Sequence, residues 1–467
     1  MLLRWLVLGT VLLLPLASSR AETLTAHQQI AFDIYKELVE INTVTATGDT
    51  QRAAEAMAAR LRAAGFDGLD VQVFSPAPRK GNLVARLRGT GKRKPILLLA
   101  HTDVVDARHE DWSYDPFRLT EREGYFYGRG TTDNKFMAAA FIANLIRYKQ
   151  EGYTPERDII VALEADEEIG DAMGLGIRWL LTHQRALIDA EFALNEGGRV
   201  GLKAGKPLWN GVQVAEKVYI SYKLEATDRG GHSSLPTKAN PIYRLAEGLA
   251  RLAKFEFPFK LNDTTRAFFA RAAEAESPQT AADMRAIAAG RATVDALSIT
   301  RLSVNPIYNA QLRTTCVATQ IQGGHAVNAL PQRASATVNC RVLPGEPIGE
   351  VFTTLKQVLA DDGISITPSG GPVLSTPSPL HQEIMDAIEK LSAEFWPGIP
   401  VIPIMSPAAS DSTYLRNAGI PAYGHSGLAD DVDDFRAHGK DERVPVKSFF
   451  EGQEYLYRLV KALSGGA

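Results

Sequence analysis

The sequence predicts an α/β chain, a three-layer α/β sandwich interrupted by a smaller α+β unit. Three observations carry this. Short apolar β-type runs alternate with amphipathic helical patterns before residue 200. One run, Ile96 to Ala100, is continuously apolar, which suits a strand covered on both faces. Near Val214 the texture changes to a β-α-β-β-α-β order, and near Pro377 the first texture resumes. The 467 residues, 45% hydrophobic and 22% charged, match a prior of two or three domains at about 150 residues each.

Taken in order, residues 1–21 read as an export signal. Arg4 precedes an apolar run from Leu6 to Leu16, and Ser19-Arg20-Ala21 offers small residues where a signal peptidase reads. The apolar core is too short for a permanent span. No cysteine lies near the cleavage point, so no stable membrane anchor is expected, and the destination is the periplasm or the exterior. Losing Arg4 and Arg20 leaves 49 basic against 54 acidic residues, a charge of −5, which suits neither nucleic acid nor an anionic membrane.

Residues 22–214 form the first part of the sandwich. Helical patterns run from Ala26 to Glu40 and from Gln51 to Ala64, where Gly65 ends the second. Strand-type runs are Val71 to Phe74, Asn82 to Leu87, Ile96 to Ala100, Ile159 to Leu163 and Phe192 to Leu194, with a helix around Ile177 to Leu181. Residues 215–376 form the inserted unit. Its strands are Val218 to Ala226, Val317 to Ile321, Thr337 to Val342 and Ile364 to Ile366, and its helices are Pro241 to Leu252 and Ile348 to Leu359. An Ala-rich insertion lies between Phe255 and Arg313. Residues 377–467 return to the sandwich. The two cysteines, Cys316 and Cys340, fall on strands that read as neighbours; export permits a disulfide, cross-strand geometry restricts it, and the pairing stays open.

The chemistry-bearing residues cluster at strand ends. In Gly128-Arg129-Gly130-Thr131-Thr132-Asp133-Asn134-Lys135, a carboxylate sits where an aromatic strand, Tyr125 to Tyr127, hands over to an apolar helix opening at Phe136. His101-Thr102-Asp103 follows Ile96 to Ala100, Asp166-Glu167-Glu168 closes the run Ile159 to Leu163, and Asn195-Glu196-Gly197-Gly198 closes Phe192 to Leu194. His438 lies beyond the inserted unit. Singly these read as a capped turn, a bonded strand-end His and a solvated acidic turn. Together, His101, Asp133, Glu168, Glu196 and His438 supply two imidazoles and three carboxylates, a set suited to two Zn²⁺ ions sharing one carboxylate, with Co²⁺ or Mn²⁺ as substitutes.

With these motifs in this order, the sequence resembles the dizinc metallohydrolase family of aminoacylase, bacterial glutamate carboxypeptidase, succinyl-diaminopimelate desuccinylase and vacuolar carboxypeptidase S. The resemblance implies a zinc-exopeptidase-like catalytic domain and a ferredoxin-like lid that makes a homodimer. It implies that His101 and Glu196 bind one zinc, that Glu168 and His438 bind the other, and that Asp133 bridges them. Asp103 would orient His101, and Glu167 would be the general base. His232, in Gly230-Gly231-His232-Ser233-Ser234, would reach a partner subunit's active site. Asn328 and Arg341 resemble the pair that clamps a substrate carboxylate, work that suits the planar fork of Arg. Two departures, Glu196 where many members have Asp and Asn134 where many have Met, remove no ligand.

The implied reaction is hydrolysis of an amide bond beside a free carboxylate, in small peptides or N-acyl-amino acids. A strict N-acyl-amino-acid hydrolase is the alternative. A non-catalytic binding protein on the same fold is a further class, opposed by retention of the ligand set and of Glu167. His27, His109, His183, His325, His381 and His425 match no catalytic motif and read as structural or solvent-facing.

Overall fold

A computed structural model describes residues 24–170, 172–290 and 296–466. The export signal assigned to residues 1–21 lies outside them.

The large sheet has ten strands. At its centre Ile96–His101 lies between Ile159–Glu164 and Phe192–Asn195, all three parallel. Successive side chains of a strand point to opposite faces, so each central strand feeds two cores. Ile96, Leu98 and Ala100 enter a core shared with helices Ala26–Glu40, Lys135–Gln150 and Val446–Ser464. Leu97 and Leu99 enter the opposite core with Ile177, Leu180 and Leu415. That is why the run is continuously apolar. Each such leucine contributes about 1.5–3 kcal/mol on burial. Helix Lys135–Gln150 is apolar nearly all round because it lies in that first core with partners on several sides.

The inserted unit has its own four-stranded antiparallel sheet, ordered Thr315–Gly323, Arg333–Val342, Val218–Thr227, Ile364–Ser369. Helices Pro241–Lys254 and Ile348–Leu359 supply Leu245, Leu252, Val351, Leu355 and Leu359 to its core. Cys316 and Cys340 stand directly opposite in the ladder and form a disulfide.

Two parts of the architecture differ from the sequence reading. The large sheet continues past Val214 in a strand Lys206–Glu216, on which Val401–Ser406 lies parallel. The Ala-rich insertion is helical, with Asp263–Ala272, Pro278–Ala288, Ala296–Ser303 and Pro306–Leu312. It packs on the large sheet as well as joining the smaller one. Phe268, Phe269, Met284 and Leu312 cover Ile402, with Ile404 and Trp209 alongside, and Gln311 donates to the Met405 carbonyl at 2.7 Å. An otherwise open strand edge is thereby shielded.

Candidate metal centre

Because the central strands are parallel, their carboxyl ends coincide. His101 ends one of them, beside Glu164 of the next. Glu168 follows that second strand in a short turn, Glu167–Ile169, and Glu196 follows Phe192–Asn195. Asp133 arrives differently from expectation. Its preceding strand, Tyr125–Tyr127, belongs to a separate three-stranded sheet, where it pairs with Arg443–Pro445. That pairing brings the Asp133 turn and the His438 loop together.

Asp133 stands between the two imidazoles. Its Oδ1 lies 3.1 Å from His101 Nε2, and its Oδ2 lies 3.1 Å from His438 Nε2. Glu196 Oε2 approaches His101 Nε2 at 3.3 Å, and Glu168 Oε2 approaches His438 Nε2 at 2.9 Å. Donors bonded at about 2.0–2.1 Å to a tetrahedral ion lie roughly 3.3 Å from one another. The spacings therefore fit a pair of metal positions with Asp133 shared. Two further facts agree. Glu168 Oε1 is buried with no hydrogen-bond partner among the described residues. Four carboxylates, those of Asp133, Glu167, Glu168 and Glu196, converge on the site and match the charge of two divalent ions.

Without cations the imidazoles carry that burden. His438 is pushed up to about 10 by hydrogen bonds to Asp133 and Glu168. Burial works against charge on His101, yet Glu196, Asp103 and Asp133 hold its proton affinity well above the ordinary value. Burial likewise opposes ionisation of Asp133, and the two imidazoles more than offset it. Glu167 is pushed well up, first by burial and then by the Glu196 carboxylate. Metal binding would replace protons on the imidazoles.

Asp103 does more than face His101. Its carboxylate accepts the backbone N–H groups of Glu167 and Glu168, each at 3.2 Å, and the Thr45 hydroxyl at 3.1 Å. The nearer acceptor for His101 Nδ1 is the Asp103 carbonyl, at 3.0 Å, with the carboxylate at 3.5 Å. A proton held at Nδ1 leaves the Nε2 lone pair directed at the metal position.

The acidic triplet is not all cation-seeking. Lys80 Nζ meets Asp166 Oδ1 at 2.5 Å and the Thr45 carbonyl at 2.6 Å, so a lysine offsets the first carboxylate. Glu442 was not singled out by the sequence. Its fully buried carboxylate accepts Arg129 Nη1, the N–H groups of Gly130, Thr132 and Asp133, and the Thr132 hydroxyl, at 2.7 to 3.2 Å. Arg129 in turn donates to the carbonyls of His438 and Gly439. The spacing His438-x-x-x-Glu442 was the available signal.

The residues expected on the substrate side are not gathered by one chain. His232 is exposed, in a two-residue strand paired with Ala329–Leu330. Asn328 is beside it, since Ser233 N–H donates to the Asn328 carbonyl at 3.0 Å. The Ser234 N–H donates to His232 Nδ1, which leaves Nε2 as the donor of the neutral ring. Arg341 sits elsewhere. It lies at the opposite end of Arg333–Val342, about 27 Å along the strand from Arg333. Asn328, expected to share a clamp with Arg341, thus lies near the Arg333 end of this strand, and Arg341 at the other end. Of the six histidines read as structural or solvent-facing, His425 is fully buried between the Gly211 carbonyl and the Tyr455 hydroxyl.

A family model described as Peptidase family M20/M25/M40 matches residues 97–462. A Dictyostelium discoideum protein described as probable carboxypeptidase S-like 2 is 28% identical over 376 residues, covering 79% of this chain and 71% of that one. The human N-fatty-acyl-amino acid synthase/hydrolase PM20D1 is 28% identical over 378 residues, covering 79% and 74%. Among solved structures, the M20 family metallo-carboxypeptidase Sso-CP2 from Sulfolobus solfataricus superposes with a TM-score of 0.69 at 17% identity, over 92% of this chain and 98% of that one.

Proposed function

The chain belongs to peptidase family M20/M25/M40, and on that premise we propose that it hydrolyses an amide bond beside a free carboxylate, in small peptides or N-acyl-amino acids. The observation that carries this reading is Asp133, with one oxygen on the His101 side and the other on the His438 side at equal distance. His101 and Glu196 would hold one zinc, Glu168 and His438 the other. When bound, the metals supply Lewis-acid polarisation of the scissile carbonyl and lower the pKa of a water towards ~7.

The protein's residues do the rest. Glu167, whose proton affinity is raised by burial and Glu196, takes the proton of the attacking water and passes it to the leaving amine. Asp103 fixes both Glu167 and Glu168 through their backbone amides. Arg341 receives the substrate carboxylate. His232 offers its Nε2 proton to the developing oxyanion.

Three further readings belong to the same proposal. Exported residence rests on the first 21 residues. A homodimer through the smaller sheet rests on the exposed edge strand Thr315–Gly323, which shows Val317 and Ile321 to solvent, and on the exposed position of His232. The choice between peptidase and acylase turns on the group beyond the scissile bond.

A substrate panel on purified protein, before and after chelation, tests the core of this. Hydrolysis of dipeptides or N-acyl-amino acids, lost with chelator and restored by zinc, is the expected result. Full activity after exhaustive chelation would overturn it.

A further inference from the structure

Arg341 is set apart by its surroundings on the smaller sheet. Ile220, Tyr222 and Leu224, with Val338, Cys340 and Val342, turn to the helix-covered core. Their alternates, Tyr219, Ser221, Lys223, Asn339 and Arg341, occupy the other face. Of the cations on that face, Lys223 pairs with Glu225 at 2.8 Å and Arg333 with Glu225 at 3.3 Å. Arg341 has no carboxylate within 4.0 Å among the described residues, and its two Nη groups make no hydrogen bond there. A half-buried guanidinium left this way is prepared for an anion from outside.

What it does contact holds it still. Tyr219 is directly opposite Arg341 in the ladder, and Ser221 is directly opposite Asn339. The guanidinium carbon lies 4.8 Å from the Tyr219 ring centroid. Arg341 Nε donates to Asn339 Oδ1 at 3.3 Å. The Asn339 amide nitrogen donates to Ser221 Oγ at 3.1 Å, and Ser221 Oγ donates to the Tyr219 hydroxyl at 3.1 Å. The four side chains thus close a circuit. Because the Asn339 nitrogen is engaged by Ser221, its oxygen is committed to Nε. With one flank of the guanidinium bonded and one face stacked, its outer edge, Nη1 and Nη2, is the part left to meet a carboxylate with two parallel bonds.

We infer that Tyr219, Asn339 and Ser221 are positioning residues that aim Arg341, and so set this enzyme's preference for substrates ending in a free carboxylate. The inference rests on the reading above that Arg341 receives that carboxylate.

The test measures kcat and KM for N-acetyl-leucine and for its carboxamide in Tyr219→Leu, Tyr219→Phe, Asn339→Ala, Arg341→Ala and the double variant Tyr219→Leu/Arg341→Ala. Tyr219 is 49% exposed, and melting temperatures check that each variant folds. Tyr219→Leu and Asn339→Ala should each raise KM for the acid roughly 3- to 30-fold, with kcat held within about 2-fold and the carboxamide little changed. Tyr219→Phe should retain most of the preference, since the ring remains. In the Arg341→Ala background, Tyr219→Leu should add nothing. If Arg341→Ala abolishes the acid preference while Tyr219→Leu and Asn339→Ala leave it intact, the positioning role is wrong and the clamp stands. If Arg341→Ala itself leaves the preference intact, the clamp falls and the positioning role with it.

Discussion

The carboxylate of Glu442 accepts the backbone N–H of Asp133 at 3.2 Å, and so joins the His438 loop to the turn that carries Asp133. Those loops are some three hundred residues apart in sequence. The same oxygen takes the N–H and hydroxyl of Thr132, while the other takes Arg129 and Gly130. These five donors are met by one group that is wholly out of water.

Glu442→Gln should therefore act on stability and on metal together. The amide would turn donors towards donors and leave Arg129 buried without its counter-charge. A loss of about 3 kcal/mol in unfolding free energy is expected from breaking such a pair. Metal affinity should fall roughly 10- to 100-fold, because the groups behind the ligands lose their orientation. Denaturant titration and competition with a chromophoric chelator measure the two effects. Normal metal affinity in a destabilised variant would mean that Glu442 only holds the fold.

Much of the fold, and the meeting of His101, Asp133, Glu168, Glu196 and His438 at one place, was legible because it depends on local periodicity. The continuous run before His101 announced a doubly covered strand, and residues at the ends of parallel strands share an edge without further information. The rest depends on tertiary context. Lys206–Glu216 contains Pro207, Asn210 and Gly211, which dilute its β signal, yet it pairs on both sides. The insertion helices are seated by Ile402 and Ile404, which no nearby sequence points to. Lys80 and Glu442 find their partners across 86 and about 310 residues respectively. The placing of Asn328 and Arg341 depends on a strand that runs Arg333–Val342, four residues longer at its start than the run Thr337 to Val342 read from the sequence.

The neighbours Glu167 and Glu168 should part company on mutation. Glu168 Oε2 faces His438 at 2.9 Å, whereas Glu167 lies against the side occupied by His101 and Glu196. Glu167→Gln preserves shape and removes the proton acceptor, so metal content should stay near normal while turnover drops at least ~10²-fold. Glu168→Gln should lose metal. Elemental analysis alongside kinetics decides, and the reverse outcome would exchange the two roles.

His425 should make the fold sensitive to mild acid. Burial pushes it down to about 4, below the ~6.5 of an unfolded histidine. Between those values the unfolded chain binds a proton that the folded chain refuses. The contribution is thus fully present above pH ~6.5 and is lost as pH falls towards 4, amounting to about 3 kcal/mol. Comparing the pH dependence of unfolding in the wild type and His425→Gln isolates it, since the other titrating groups are common to both. Parallel curves would show that His425 takes its proton without unfolding.

The last expectation concerns where each active site ends. His232 lies past the far end of Val218–Thr227, about 30 Å along the sheet from Lys217, where the smaller sheet leaves the larger. Every candidate metal ligand belongs to the larger unit. A second copy, meeting this one through the smaller sheet, would bring its own His232 to the neighbouring metal centre, with Asn328 beside it. Glu167→Ala and His232→Ala should each be inactive alone, and co-expression should restore activity. In a mixed dimer, the site on the His232→Ala chain keeps Glu167 and receives His232 from its partner, while the other site lacks both. Random pairing makes about half the dimers mixed, each with one intact site, so about a quarter of wild-type activity should return. Differential tags establish that mixed dimers form. No recovery in their presence would mean that His232 serves its own chain or takes no part in the reaction.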